Sequence, residues 1–301
     1  MTHKIKKLFA FLAIAALLLS GAYFVLGGYG ASGPDAAPNL DEYGLVGYWN
    51  MEEGKGQTVY DRSGNANNGT LGGTTAVQKS DPVFTSGYSS SGPGGTALKF
   101  DGVDDYVDAG AGSSLNFGTG AFSVEMWLKP TALATTGTLI NTGGVNVASG
   151  FALQKASGTL YFYINGTTGD LIKYSYFTDT NWVHVVATRD NSGNLKAYKN
   201  GIDTTASGSD ASSLDNSQGF SIGARPAPLN YPSYFSGSID EVRIYNRALS
   251  ADEIRQHYNQ KKPVMEMKFD EGSGTVARDE SFNNNDATFP AAPANPTWSA
   301  P

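Results

Sequence analysis

Apolar and polar residues alternate with a period of two through most of residues 44–260, and turn-forming residues interrupt the alternation repeatedly. In Phe122–Pro130 the side chains of Phe122, Val124, Met126 and Leu128 share one face, and Ser123, Glu125, Trp127 and Lys129 share the other. Leu160–Asn165 alternates as well, but both of its faces are apolar or aromatic, with Tyr161 and Tyr163 together on one. Trp182–Arg189 puts Val183, Val185 and Ala187 on one face, and Ile239–Tyr245 closes the region. About twelve strands fit this pattern. Asn200-Gly201 between two such runs predicts a type I′ hairpin, and Ser157-Gly158 and Asn191–Asn194 mark two more reversals. Reversals this tight join antiparallel neighbours and leave no room for helical crossovers. The expected fold is all-β: a two-sheet antiparallel jelly-roll sandwich.

Two helices are expected. Ser250-Ala-Asp-Glu253 is a capping box, with Leu249 and Ile254 at the staple positions. The short C-terminal helix that follows puts Ile254 and Tyr258 on one stripe, which predicts packing on the sandwich edge. At the other end, Lys4, Lys6 and Lys7 precede an uncharged apolar run over residues 8–26. Residues 1–29 therefore read either as a signal peptide or as a membrane anchor, because the run suits a long signal core and a short span equally. Either reading makes the rest of the chain extracytoplasmic, touching membrane only through this segment. Residues 30–43 are rich in Gly, Ala, Ser, Pro and acids and read as a flexible linker.

Composition narrows the chemistry. Cys is absent, which excludes disulfides, thiolate zinc sites and thiol catalysis. Of the 3 His, only His184 and His257 lie beyond the leader. Past residue 29, 18 basic residues face 28 acidic ones, an unsuitable balance for binding a phosphate backbone, so nucleic acid is not an expected partner.

The sequence also repeats. Glu53-Gly-Lys-Gly56 returns as Glu271-Gly-Ser-Gly274, and Asp61, Ser63, Asn65, Asn67 and Thr70 return as Asp279, Ser281, Asn283, Asn285 and Thr288. Residues 263–301 are thus expected to be the start of a second, truncated copy. It is too short to bury a core of its own. The chain then reads either as a fragment of a longer tandem protein, the favoured alternative, or as a domain with a docked tail.

The opening block Gly44–Trp49, Met51–Gly56 and Asp61–Leu71 resembles the start of a bacterial LamG-like domain of the concanavalin A-like lectin/glucanase superfamily. Ala97–Val107, Phe122–Pro130 and Gly237–Ser250 resemble its later blocks in order, so the resemblance spans 44–260. It implies a jelly roll and constrains function loosely, since this fold hosts lectins, adhesion modules, spacers and glycosidases. The β-glucan-cleaving relatives carry Glu-x-Asp-x-x-Glu on one strand; here the corresponding positions are Glu125, Trp127 and Pro130, which supply no carboxylate pair. The expected role is non-catalytic recognition of carbohydrate or of a cell-surface protein, with a structural spacer as the alternative.

The resemblance also implies a structural calcium beside the closing strand. Asp240 shares a phase with Val242 and Ile244, and a lone carboxylate on an apolar face needs a partner. Asp240 with Asp61, Gly64 and Asn50 is the expected oxygen set. The alternative is that backbone amides satisfy Asp240. For a sugar, the candidate face comprises Glu125, Trp127, Tyr161 and Tyr163, with aromatic rings to stack and acids to fix hydroxyls. Against this stands the reading of the same aromatics as core. Asn200 and Asn230 are candidate rim groups, and the aromatic loop from Asn230 to Phe235 is a candidate protein contact.

Overall fold

The computed structural model describes residues 43–79, 81–88, 95–142, 150–165, 170–214, 219–225, 233–260, 276–278 and 287–288. The leader, most of the linker, Asn230 and most of the tail lie outside the described residues. Among those described, no helix is long and apolar enough to cross a membrane.

The first strands are β1 (Leu45–Trp49), β2 (Thr58–Val59), β3 (Gly69–Leu71), β4 (Val83–Ser86), β5 (Thr96–Asp101) and β6 (Val107–Asp108). The long central ones are β7 (Phe122–Pro130), β8 (Thr136–Asn141), β9 (Phe151–Ala156), β10 (Thr159–Ile164), β11 (Leu171–Lys173), β12 (Val183–Arg189), β13 (Asn194–Lys199) and β14 (Ile202–Ser209). They are followed by β15 (Ser221–Ile222), β16 (Ala224–Arg225), β17 (Ser233–Tyr234), β18 (Ser236–Tyr245) and helix α1 (Ala251–Gln260).

One sheet runs β14-β13-β12-β7-β18-β5-β4, with β1 also on β18; the other runs β11-β10-β9-β8-β15-β6-β3-β2, with β16 and β17 attached at β8. The core forms between them, as alternation predicts: Phe122, Val124, Met126 and Leu128 face Phe151, Leu153, Leu160 and Phe162 inside one cluster. The strands outnumber the twelve expected because β2, β6, β15, β16 and β17 have two residues each, too few to show a period.

The turns follow their sequences. Lys199 pairs with Ile202 across Asn200 and Gly201, whose φ angles of 53° and 77° are those a type I′ turn requires. In the capping box, the Glu253 amide donates to Ser250 Oγ at 3.3 Å, and the Ser250 amide donates to Glu253 Oε2 at 2.8 Å.

Two expectations need correction. Helix α1 does not pack on the sandwich edge. Leu249 and Ile254 join Val186, Tyr198 and Tyr245 in a second apolar cluster, so the helix lies on the outer face of the first sheet. Nor does Asp240 stay in phase with Val242 and Ile244. Glu241 adopts φ 53°, and the register against β7 shifts between Asp240 and Arg243. This bulge inserts one extra residue, so Asp240 sits opposite Trp127 and Arg243 opposite Glu125, all on the outer face.

In the tail, β19 (Val276–Ala277) pairs antiparallel with β20 (Ala287–Thr288). Its register, Val276 to Thr288 and Ala277 to Ala287, repeats that of Thr58 to Thr70 and Val59 to Gly69 at the spacing of the sequence repeat.

Candidate functional site

The four residues expected to form one ligand face occupy two different sheets. Glu125 and Trp127 lie on β7 in the first sheet, whereas Tyr161 and Tyr163 lie on β10 in the second. The sandwich core separates them, and the shared face does not form.

Glu125 and Trp127 are also roofed over, at 1% and 2% exposure. Glu125 is clasped on both sides: Oε1 lies 2.8 Å from His184 Nε2 on β12, and Oε2 lies 2.8 Å from His257 Nδ1 on α1. Arg243 Nη1 stands 3.8 Å from Oε1. Burial pushes the Glu125 carboxyl up, but the hydrogen bonds and charge of the two histidines outweigh it and hold the group well below the usual carboxylate range. Trp127 is stacked by Tyr88 at 3.5 Å and by Tyr258 of α1 at 5.6 Å between ring centroids, with His184 alongside at 5.0 Å. Around Glu125 and Trp127 the outer face of the first sheet is thus a buried polar and aromatic layer that fastens the helix. The two histidines were legible in the sequence only as isolated residues, since their common partner is set by the docking of α1.

The second sheet presents its outer face differently. Thr138, Gln154, Tyr161 and Ile172 align across β8 to β11. Tyr161 and Tyr163 are half-buried and stack with centroids 5.8 Å apart and planes 9° from parallel. Tyr163 OH donates to Gln154 Oε1 at 3.2 Å, and Gln154 Nε2 donates to Ser233 Oγ at 3.4 Å. The two rings are therefore held as a plate with an oriented carboxamide beside it. Thr138 Oγ1 is buried there without a partner.

The oxygen set expected for calcium does not fit as a set. Asp61 spends both oxygens on backbone amides: Oδ1 accepts from Tyr48 at 2.9 Å and Ser63 at 2.8 Å, and Oδ2 accepts from Asn67 at 2.9 Å. Asp240, at 1% exposure, accepts from the Tyr88 amide at 2.9 Å and the Glu241 amide at 2.8 Å. Burial, reinforced by Glu241 and Glu52, pushes Asp240 up to about 7 despite those hydrogen bonds. Gly64 is an exposed turn residue. Asn50 alone retains an unspent buried oxygen, Oδ1, and the same loop holds two more, Glu53 Oε2 and Gln57 Oε1. Elsewhere, carboxylate oxygens of Asp101, Asp104 and Asp105 gather within 4.8 Å of one another. Asp105 Oδ2 accepts from the Asp101 amide and Asp101 Oδ1 from the Val103 and Asp104 amides, and burial pushes Asp105 up to about 6.

Two antiparallel sheets packed face to face, with a short helix on one of them, define a jelly-roll sandwich. The profile of the concanavalin A-like lectin/glucanases superfamily matches residues 101–255, and the chain belongs to that superfamily. No curated protein sequence matches it. Among solved structures, it is similar to domain 4 of AbnA, an extracellular arabinanase from Geobacillus stearothermophilus, in complex with arabinotriose. The TM-score is 0.52 at 20% identity, over 70% of this chain and 97% of that one. It is also similar to the binding domain of botulinum neurotoxin DC in complex with rat synaptotagmin II, with a TM-score of 0.56 at 15% identity over 75% and 54% of the two chains. A structure of botulinum neurotoxin type C, whose cell entry depends on two ganglioside molecules, gives 0.56 at 16% identity over 77% and 55%. The chain spans about half the length of the neurotoxin domains it matches. These likenesses establish the fold.

Proposed function

We propose that this protein is a non-catalytic, extracytoplasmic recognition module whose ligand is carbohydrate, bound on the outer face of the second sheet. The Tyr161–Tyr163 plate carries the reading: two parallel, half-exposed rings with a fixed carboxamide suit the apolar face and hydroxyls of a sugar. The binding roles of the similar domains, for arabinotriose in one and gangliosides in another, support the ligand class. A glycan array should return a specific hit. The double variant Tyr161→Ala/Tyr163→Ala should lose at least about tenfold in affinity, or about 1.4 kcal/mol, with little change in melting temperature. A blank array on folded protein would sink the carbohydrate reading and favour a surface-protein partner or a spacer role.

The proposal includes a structural calcium, moved from the expected set to the loop 50–57. There Asn50, Glu53 and Gln57 each hold a buried acceptor without a donor, the chemistry a hard cation satisfies. Chelation is expected to lower the melting temperature, and Asn50→Ala to abolish that response. An identical melting curve with and without chelator would refute the site.

A further inference from the structure

We propose that a cleft between the β11–β12 loop and the β13–β14 turn is a second ligand site, built for one neutral, polyhydroxylated ring. It lies apart from the Tyr161–Tyr163 plate and does not depend on that plate's role.

The cleft is held open by buried anchors. Tyr176 and Phe177 are 1% and 3% exposed and fasten the β11–β12 loop into the core. The Tyr176 hydroxyl donates to the Tyr198 carbonyl, and the Phe177 amide donates to the Gly158 carbonyl at 2.9 Å. On the opposite wall, the type I′ turn fixes the position of Asn200. Walls set by the core rather than by the ligand reduce the ordering cost of binding.

Four side chains give the cleft its chemistry. Trp182 is half-buried, with Tyr88 approaching it edge-on at 6.0 Å and 68°. Asn200 Oδ1 accepts from the His184 amide at 3.0 Å, which orients the carboxamide and leaves its NH2 to donate elsewhere. Lys199 Nζ donates to the Tyr176 carbonyl at 2.6 Å and to Thr178 Oγ1 at 3.3 Å, using two of its three protons. Asp179 Oδ1 accepts from the Asn181 amide at 2.8 Å, leaving further lone pairs on the carboxylate. The lining therefore offers an aromatic plate, two donors and one acceptor.

Charge and size select the ligand. The lining holds one base, Lys199, and one acid, Asp179, so neither a phosphate nor a bare cation is favoured. The volume is about 200 Å³. That is less than the roughly 300–1,000 Å³ of a drug-sized pocket. One ring whose hydroxyls both donate and accept matches the lining, and its C–H face matches Trp182.

The test uses the full chain with glucose, galactose, N-acetylglucosamine and arabinose as probes, followed by saturation-transfer NMR and tryptophan fluorescence. At least one probe should saturate. Trp182→Ala should weaken it at least about tenfold, and so should Asn200→Asp, which keeps the acceptor and removes the NH2. The Asn200 change also serves where loss of the indole disturbs folding. All measurements are made in the Tyr161→Ala/Tyr163→Ala background, so that a sugar held at that plate contributes nothing to the signal. The site is overturned by no saturable response to any probe, or by a response that survives both cleft variants.

Discussion

Trp127→Ala is expected to destabilise the domain by about 3–5 kcal/mol, the range for removing a large buried aromatic. The indole is 2% exposed and sandwiched between Tyr88 and Tyr258, so its loss opens a cavity between sheet and helix. For a domain of this size the melting temperature should fall by about 2–4 °C per kcal/mol. A tryptophan presented to a ligand would behave differently: its removal would cost binding and change stability by less than about 0.5 kcal/mol. Urea unfolding separates the two, since a midpoint that falls at constant m reports lost stability. An unchanged midpoint would mean that the helix does not roof this face in solution.

Glu125→Ala should cost a similar amount, about 3–5 kcal/mol, because it strips one partner from a buried ionic cluster. His184 and His257 would lose their common hydrogen-bond partner, and Arg243 a neighbouring negative charge, at a position closed to bulk solvent. Since His257 belongs to α1, hydrogen exchange over residues 251–260 should accelerate more than in the strands. The acid side of the stability curve should change as well. The Glu125 carboxyl titrates lower in the fold than in the unfolded chain, where glutamate titrates near about 4.3. Its contribution is therefore present above that range and is lost as pH falls toward the lower folded value. The alanine variant should lack this part of the acid-side loss. A variant with wild-type stability and an identical pH profile would rule out the latch.

Much of the architecture is local and was legible. Alternation in Phe122–Pro130 assigns the core face because a strand's side chains point to opposite sides whatever surrounds them. Asn200-Gly201 specifies its hairpin because few residue pairs tolerate two consecutive positive φ angles, and the Ser250–Glu253 box specifies a helix start through hydrogen bonds within four residues. The candidate ligand face was half legible. Tyr161 and Tyr163 were correctly placed together, but a period of two reports which residues share a face, not which sheet holds the strand or what lies over it.

The tertiary structure decided the rest. Docking of α1 turned Glu125 and Trp127 from surface candidates into a buried latch, through His257 and Tyr258, residues more than a hundred positions away. The bulge at Glu241 moved Asp240 to the outer face, because one extra residue inverts the phase of everything on one side of it. The Trp182 cleft exists only where a loop and a hairpin turn from different parts of the chain meet over Tyr176 and Phe177. By itself the sequence determined the strands, the turns, the helix and the residues that share each face, because neighbours along the chain settle these. Cover, sheet membership and clefts are set by contacts between distant segments, and only the folded chain brings those segments together.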